Sequence, residues 1–124
     1  MVIIMTNTNV FAHALSLIGE TEGSLGIDDY SERAPLLLAG IIGELSQVET
    51  ELGGDMIVYE ASVDMQSEFP LDNRLSLVAA HMLAARLVFD EMPELSAELS
   101  SYANKITENV LKDVTDISSI REVY

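Results

Sequence analysis

Few side chains in this 124-residue sequence are of types that carry chemistry, and their spacing argues against most reactions. There are two histidines, His13 and His81, far apart in the chain. Two imidazoles, or an imidazole and a carboxylate, share a metal from one helix only when three or four residues separate them. Neither histidine has such a partner, and valines stand at positions 10 and 78. There is no cysteine, which excludes thiolate catalysis, disulfides and cysteine metal sites and leaves the redox compartment open. No nucleophile elbow, phosphate-binding loop or dinucleotide fingerprint occurs. The pairs Asp28-Asp29 and Asp90-Glu91 are adjacent carboxylates at expected helix ends, where solvation is commoner than general acid–base work. The acidic, glycine-rich stretch Gly19–Ser31 invites a calcium reading. Counted from Glu20, however, the position that needs a bidentate glutamate holds Ser31. The sequence therefore predicts no catalytic residue, no cofactor and no metal ligand, and points to a binding or structural module.

Charge is the strongest bulk signal. Twenty-one acidic residues face six basic ones, a net −15. Arg33, Arg74, Arg86, Lys105, Lys112 and Arg121 are spread singly, so no basic patch can hold a nucleic acid backbone or an anionic membrane. An acidic surface either keeps a protein soluble or repels DNA that must slide past it. The longest apolar run, Ala34 to Gly43, is half of what a membrane helix needs. MVIIM is followed at once by TNTN and preceded by no base, unlike a secretory signal, so a soluble intracellular protein is expected.

Periodicity predicts an all-α fold of about four helices, near 9–19, 31–52, 71–90 and 94–113, packed as one small bundle in a single domain. Residues 1–8 form an N-terminal arm and residues 114–124 a C-terminal tail. Asn9 is a good N-cap and Gly19 a good stop for the first helix. The second helix is capped by Asp29 or Ser31, admits Pro35 in its first turn and ends at Gly53-Gly54; an earlier start would place a kink at Pro35. Ala39 and Gly43 leave a shallow groove on it for a close backbone approach. The third is the organising element, with Leu71, Leu75, Val78, Met82, Ala85 and Phe89 along one stripe. Leu77, Ala80, Ala84, Leu87 and Val88 form a second apolar set roughly opposite, and a helix apolar on most of its circumference is covered on most sides. Segment 55–69 has strand-like composition at Met56, Ile57, Val58 and Tyr59 and reads as an extended or hairpin excursion.

Three stretches carry a resemblance to a known family. ALSLIGE (Ala14 to Glu20) looks like a first helix ending in an acidic-glycine loop. DDYSERAPLLLAGIIGEL (Asp28 to Leu45) looks like a proline-entered second helix. In FPLDNRLSLVAAHMLAARLVFDEMPELSAELSSYANKI (Phe69 to Ile106), a proline entry, an LAARL helix and an acidic turn precede a Leu-x-x-x-Leu-x-x-Tyr helix. Together they resemble the small head–tail connector (adaptor) proteins of tailed bacteriophages and prophages. The resemblance implies a non-enzymatic structural protein of the virion neck, assembled in the bacterial host cytoplasm. It implies a homo-oligomeric ring of about twelve copies that joins the portal protein to a tail or head-closure protein. DNA passes through such a ring without sequence-specific binding, and no membrane is involved.

On this reading Leu77, Ala80, Ala84 and Val88 form the subunit interface. Met56, Ile57, Val58, Tyr59, Ile117, Ile120 and Tyr124 lie on arms that touch partners. The rival reading is an acidic helical regulatory or inhibitor module that binds a basic protein. A third class, a helical carboxylate-metal enzyme, needs Glu-x-x-His motifs that are absent.

Overall fold

The computed structural model describes residues 5–20, 27–57 and 61–123, the last ten as backbone alone. Among these residues the chain is all-helical, in the order α1 (Asn7–Leu17), α2 (Ile27–Glu51), α3 (Arg74–Leu87) and α4 (Pro93–Val123). The expected small all-α bundle is present.

Two glycines end helices as their chemistry requires. Gly19 and Gly53 have φ of 76° and 94°, a region in which a Cβ is strained. At the first, Gly19 N–H donates to Ser16 O at 3.2 Å and Glu20 N–H to Leu15 O at 2.8 Å. At the second, Gly53 N–H donates to Thr50 O at 3.1 Å and Gly54 N–H to Glu49 O at 2.9 Å. Each pair is a Schellman closure that satisfies carbonyls left over at a helix end.

The helix starts depart from expectation. α1 begins two residues early because Thr6, not Asn9, is the cap. Asn9 N–H donates to Thr6 Oγ1 at 3.2 Å, and Thr6 N–H donates to Asn9 Oδ1 at 2.9 Å. Asparagine thus plays the part that glutamate or glutamine usually plays in a capping box. α2 begins at Ile27 with Asp28 and Asp29 in its first turn, which places Pro35 well inside the helix. Proline there removes one helical N–H. The helix nevertheless runs on, and Pro35 O accepts a 3.2 Å bond from Val63 N–H in the following loop. α3 starts at Arg74 rather than near 71. Asp72 does the capping, its Oδ1 accepting from Arg74 N–H at 2.9 Å. α4 starts with Pro93, the first-turn position that proline suits. It continues to Val123, so the expected end near 113 and the separate tail are corrected to one helix.

α3 is the hub, as the periodicity predicts. It packs on α4, α1 and α2, while α2 and α4 barely meet. Leu75, Val78, Leu83, Leu87 and Val88 meet Val10 of α1 and Leu38, Ile41 and Ile42 of α2 in a core that excludes water. A fully buried aliphatic side chain contributes roughly 1.5–3 kcal/mol. The chain covers α3 by itself. Of the expected stripe, Leu71, Leu75, Val78 and Ala85 are buried and Met82 is half-buried, whereas Phe89 lies past the end of α3 and is exposed.

Segment 55–69 contains no hairpin among its described residues. Its one bridge is antiparallel, between Glu68 and Thr6. The segment is instead strapped to the body at both ends. Ser46 Oγ, fully buried on α2, accepts from Ile57 N–H at 2.7 Å and donates to Ile57 O at 2.8 Å. Replacing Ser46 with alanine leaves both Ile57 groups unpaired. We expect a loss of about 1–3 kcal/mol, read as a lower midpoint in urea unfolding with an unchanged slope. At the other end, the N-terminal residues pair with 65–69. Asn7 N–H donates to Ser67 O at 3.0 Å, Thr8 N–H to Met65 O at 2.9 Å, and Phe69 N–H to Met5 O at 2.7 Å. The described part of the expected N-terminal arm is therefore built into the domain.

Candidate functional site

The residues expected to bind partners separate into three groups. Ala80, Ala84 and Val88 have no accessible surface within the single chain. The intersubunit assignment is corrected for these three, because α1, α2 and α4 already occupy the space around α3. Leu77, on the same helix, is 38% exposed and remains available. Of the expected arm residues, Met56 is exposed, whereas Ile57 is half-buried and held by Ser46. Val58, Tyr59 and Tyr124 lie outside the described residues, as do the side chains of Ile117 and Ile120. Among the described residues, the large apolar side chains left on the outside are Leu36, Met56, Leu77, Phe89 and Tyr102.

One member of each acidic pair is engaged by a neighbouring side chain. Asp29 pairs with Arg33 at 3.1 Å, one helical turn away. Arg33 also donates to Leu87 O at 2.8 Å, placing its charge on the last turn of α3, where the helix dipole favours a cation. Its guanidinium carbon stands 5.8 Å from the centroid of the Tyr30 ring. Tyr30 O–H in turn donates to Glu91 Oε2 at 3.0 Å. Burial first, then that hydrogen bond, pushes the Tyr30 phenol above its ordinary pKa. Asp28 and Asp90 face solvent. Arg86 pairs with Glu44 of α2. The i, i+4 pairing of Arg86 with Asp90 that spacing suggests does not form, because α3 stops at Leu87.

One carboxylate is electrostatically tuned. Asp72 accepts from the Arg74 guanidinium at 3.0 and 3.1 Å and from Arg74 N–H, and these bonds hold its pKa below the ordinary carboxylate value. A depressed carboxylate adds stability above its unfolded pKa and loses it as pH falls through the folded pKa. Asp72→Asn should therefore lower the melting temperature modestly at neutral pH. The gap from the wild type should close on acidification below the normal aspartate range. Thermal melts across pH check this, and a gap independent of pH would contradict it.

The structure also assembles a group that sequence spacing did not foretell. α1 lies on α3 so that the His13 and His81 rings sit 6.3 Å apart, centroid to centroid, with planes inclined by 70°. The Tyr102 ring of α4 lies 6.2 Å from His81, and Lys105 Nζ lies 5.9 Å from the Tyr102 ring centroid. Three helices thus contribute to one imidazole-aromatic cluster. No local pattern could reveal it, because the histidines meet only through tertiary packing. Elsewhere, Phe11, Leu15 and Ile27 wall a shallow groove rimmed by Thr8, Asp28 and Ser31. Among the described residues no three metal-ligating side chains converge on one point, and no helix is long and apolar enough to cross a membrane.

Comparison with protein-family models, with curated proteins and with solved structures finds no match to this chain.

Proposed function

We propose that the protein is a structural component of the neck of a tailed bacteriophage or prophage. It is a ring subunit that joins the portal to the tail and extends the DNA channel. The observation that carries this reading is the Phe69–Ile106 stretch, whose pattern resembles the connector family. In the fold that stretch is a buried entry residue, Phe69, then Pro70, then the hub helix α3 and the proline-started α4 packed along it. A net charge of −15 supports it further, since a carboxylate-lined channel repels DNA and lets it slide. Subunit contacts in such a ring must use side chains that the chain leaves outside. Phe89, 66% exposed just past α3, and Leu36 and Leu77 meet that condition. In a closed ring the two sides of each subunit present different surfaces to their neighbours.

The test is whether the purified chain forms closed rings in negative-stain images, and whether Phe89→Asp abolishes them. Because Phe89 is exposed, that variant should keep the melting temperature of the wild type within about 2 °C at concentrations where both are single chains, surface changes being nearly neutral for folding. Rings formed equally well by Phe89→Asp would remove this residue from the interface. The acidity also favours a second reading, a regulatory module that neutralises a basic protein. That module would form a one-to-one complex with its target and no ring.

A further inference from the structure

We propose that His13 and His81 form a binding site for a divalent cation that prefers imidazole, of the zinc and nickel class. This proposal is independent of the neck reading. The two rings come from different helices and stand 6.3 Å apart between centroids. His81 Nδ1 lies 2.8 Å from the carbonyl oxygen of Leu77. A carbonyl oxygen only accepts, so Nδ1 carries a proton, and in the neutral imidazole Nε2 is then the nitrogen with the lone pair. Metal-bound histidines are normally oriented by just such a bond from the second ring nitrogen to a backbone carbonyl, which fixes the tautomer and raises the basicity of the ligating nitrogen.

The distance is within reach. Zinc binds imidazole nitrogen at about 2.1 Å, so two rings sharing a tetrahedral ion have centroids about 5 Å apart, a closure of roughly 1 Å. His13 is exposed and can supply that by rotating its side chain, while His81 stays pinned to its helix. Water fills the remaining positions. The chain's net −15 draws dications toward it. Lys105 opposes this locally, with its ammonium drawn to the Tyr102 ring instead. Binding would staple α1 to α3 and raise the stability of the fold by mass action.

Surface carboxylates are the competing explanation for any zinc uptake, and magnesium separates the two. Magnesium takes oxygen ligands and leaves imidazole free. The experiment is zinc titration by calorimetry of the full chain, free of any histidine tag and stripped of metal, in a large excess of magnesium. We expect one zinc per chain and a rise in melting temperature. His13→Gln and His81→Gln should each weaken binding by about tenfold or more and abolish the melting shift. Equal zinc affinity in His13→Gln and wild type would overturn the proposal, as would the absence of zinc binding once magnesium is present. Should His81→Gln fail to fold, the exposed His13→Gln variant decides alone.

Discussion

Ala84→Arg should unfold the protein outright. Ala84 sits in the last turn of α3 with no accessible surface, near Ala80, Leu83, Leu87 and Val88, which are also fully buried. An arginine there must either bury a guanidinium without a partner or push the surrounding helices off α3. An uncompensated buried charge costs about 3–5 kcal/mol, and overpacking adds about 1–3 kcal/mol more. A domain of this size has roughly 5–15 kcal/mol in total, so the variant should be largely unfolded or aggregated at 37 °C. The companion change Leu77→Arg lies on the same face two turns earlier, where the side chain is 38% exposed and an arginine can reach water, and should lower the melting temperature far less. Circular dichroism melts of the two variants make the comparison. A folded, monodisperse Ala84→Arg would mean that α3 presents this face to solvent after all.

Asn7→Asp should have nearly as large an effect while leaving the number of heavy atoms and almost all of the volume unchanged. Asn7 is fully buried, and its Nδ2 donates to Asp64 O at 2.9 Å. Its Oδ1 finds no partner among the described residues. Aspartate replaces the donor with an acceptor facing the same carbonyl and places a charge where water does not reach. The strap that joins residues 5–8 to 64–69 is then held apart at its centre. We expect a loss on the order of 3–5 kcal/mol at neutral pH. The pH dependence follows from burial, which raises the folded-state pKa of the new carboxyl above its unfolded value near about 4. The penalty is therefore absent below the unfolded pKa and grows as pH rises through and above it. Urea melts at several pH values should show the variant approaching the wild type in acid. A gap constant with pH would show that the carboxyl is solvated.

These two positions mark where the sequence was readable and where it was not. The helix stops were legible, because Gly19 and Gly53 supply the positive φ that a Schellman closure needs. The hub role of α3 was legible because its apolar positions leave so little polar surface. What covers it was not, because an apolar stripe looks the same whether a neighbouring helix or a neighbouring subunit lies on it. For that reason the pattern of Ala80, Ala84 and Val88 fits an interface as well as a core, and burial places all three in the core.

The earlier start of α2 was hidden by Pro35, whose usual place is a first turn. The pairing of residues 5–8 with 65–69 was invisible for another reason. Backbone hydrogen bonds across nearly sixty residues leave no mark on side-chain periodicity. The meeting of His13 with His81 depends on how α1 lies on α3, and local spacing says nothing about that. Ser46 shows the same limit on a smaller scale. A serine among apolar residues reads as a flaw in the stripe, yet its hydroxyl satisfies both backbone groups of Ile57.

The neck reading stands or falls on assembly. The most direct measurement is the absolute mass of the purified chain by light scattering over a wide concentration range, with images of the largest species. The account predicts a discrete assembly of about a dozen subunits with a central opening, growing in at high concentration and lost in Phe89→Asp. A single-chain mass of 13.5 kDa at every concentration would contradict it.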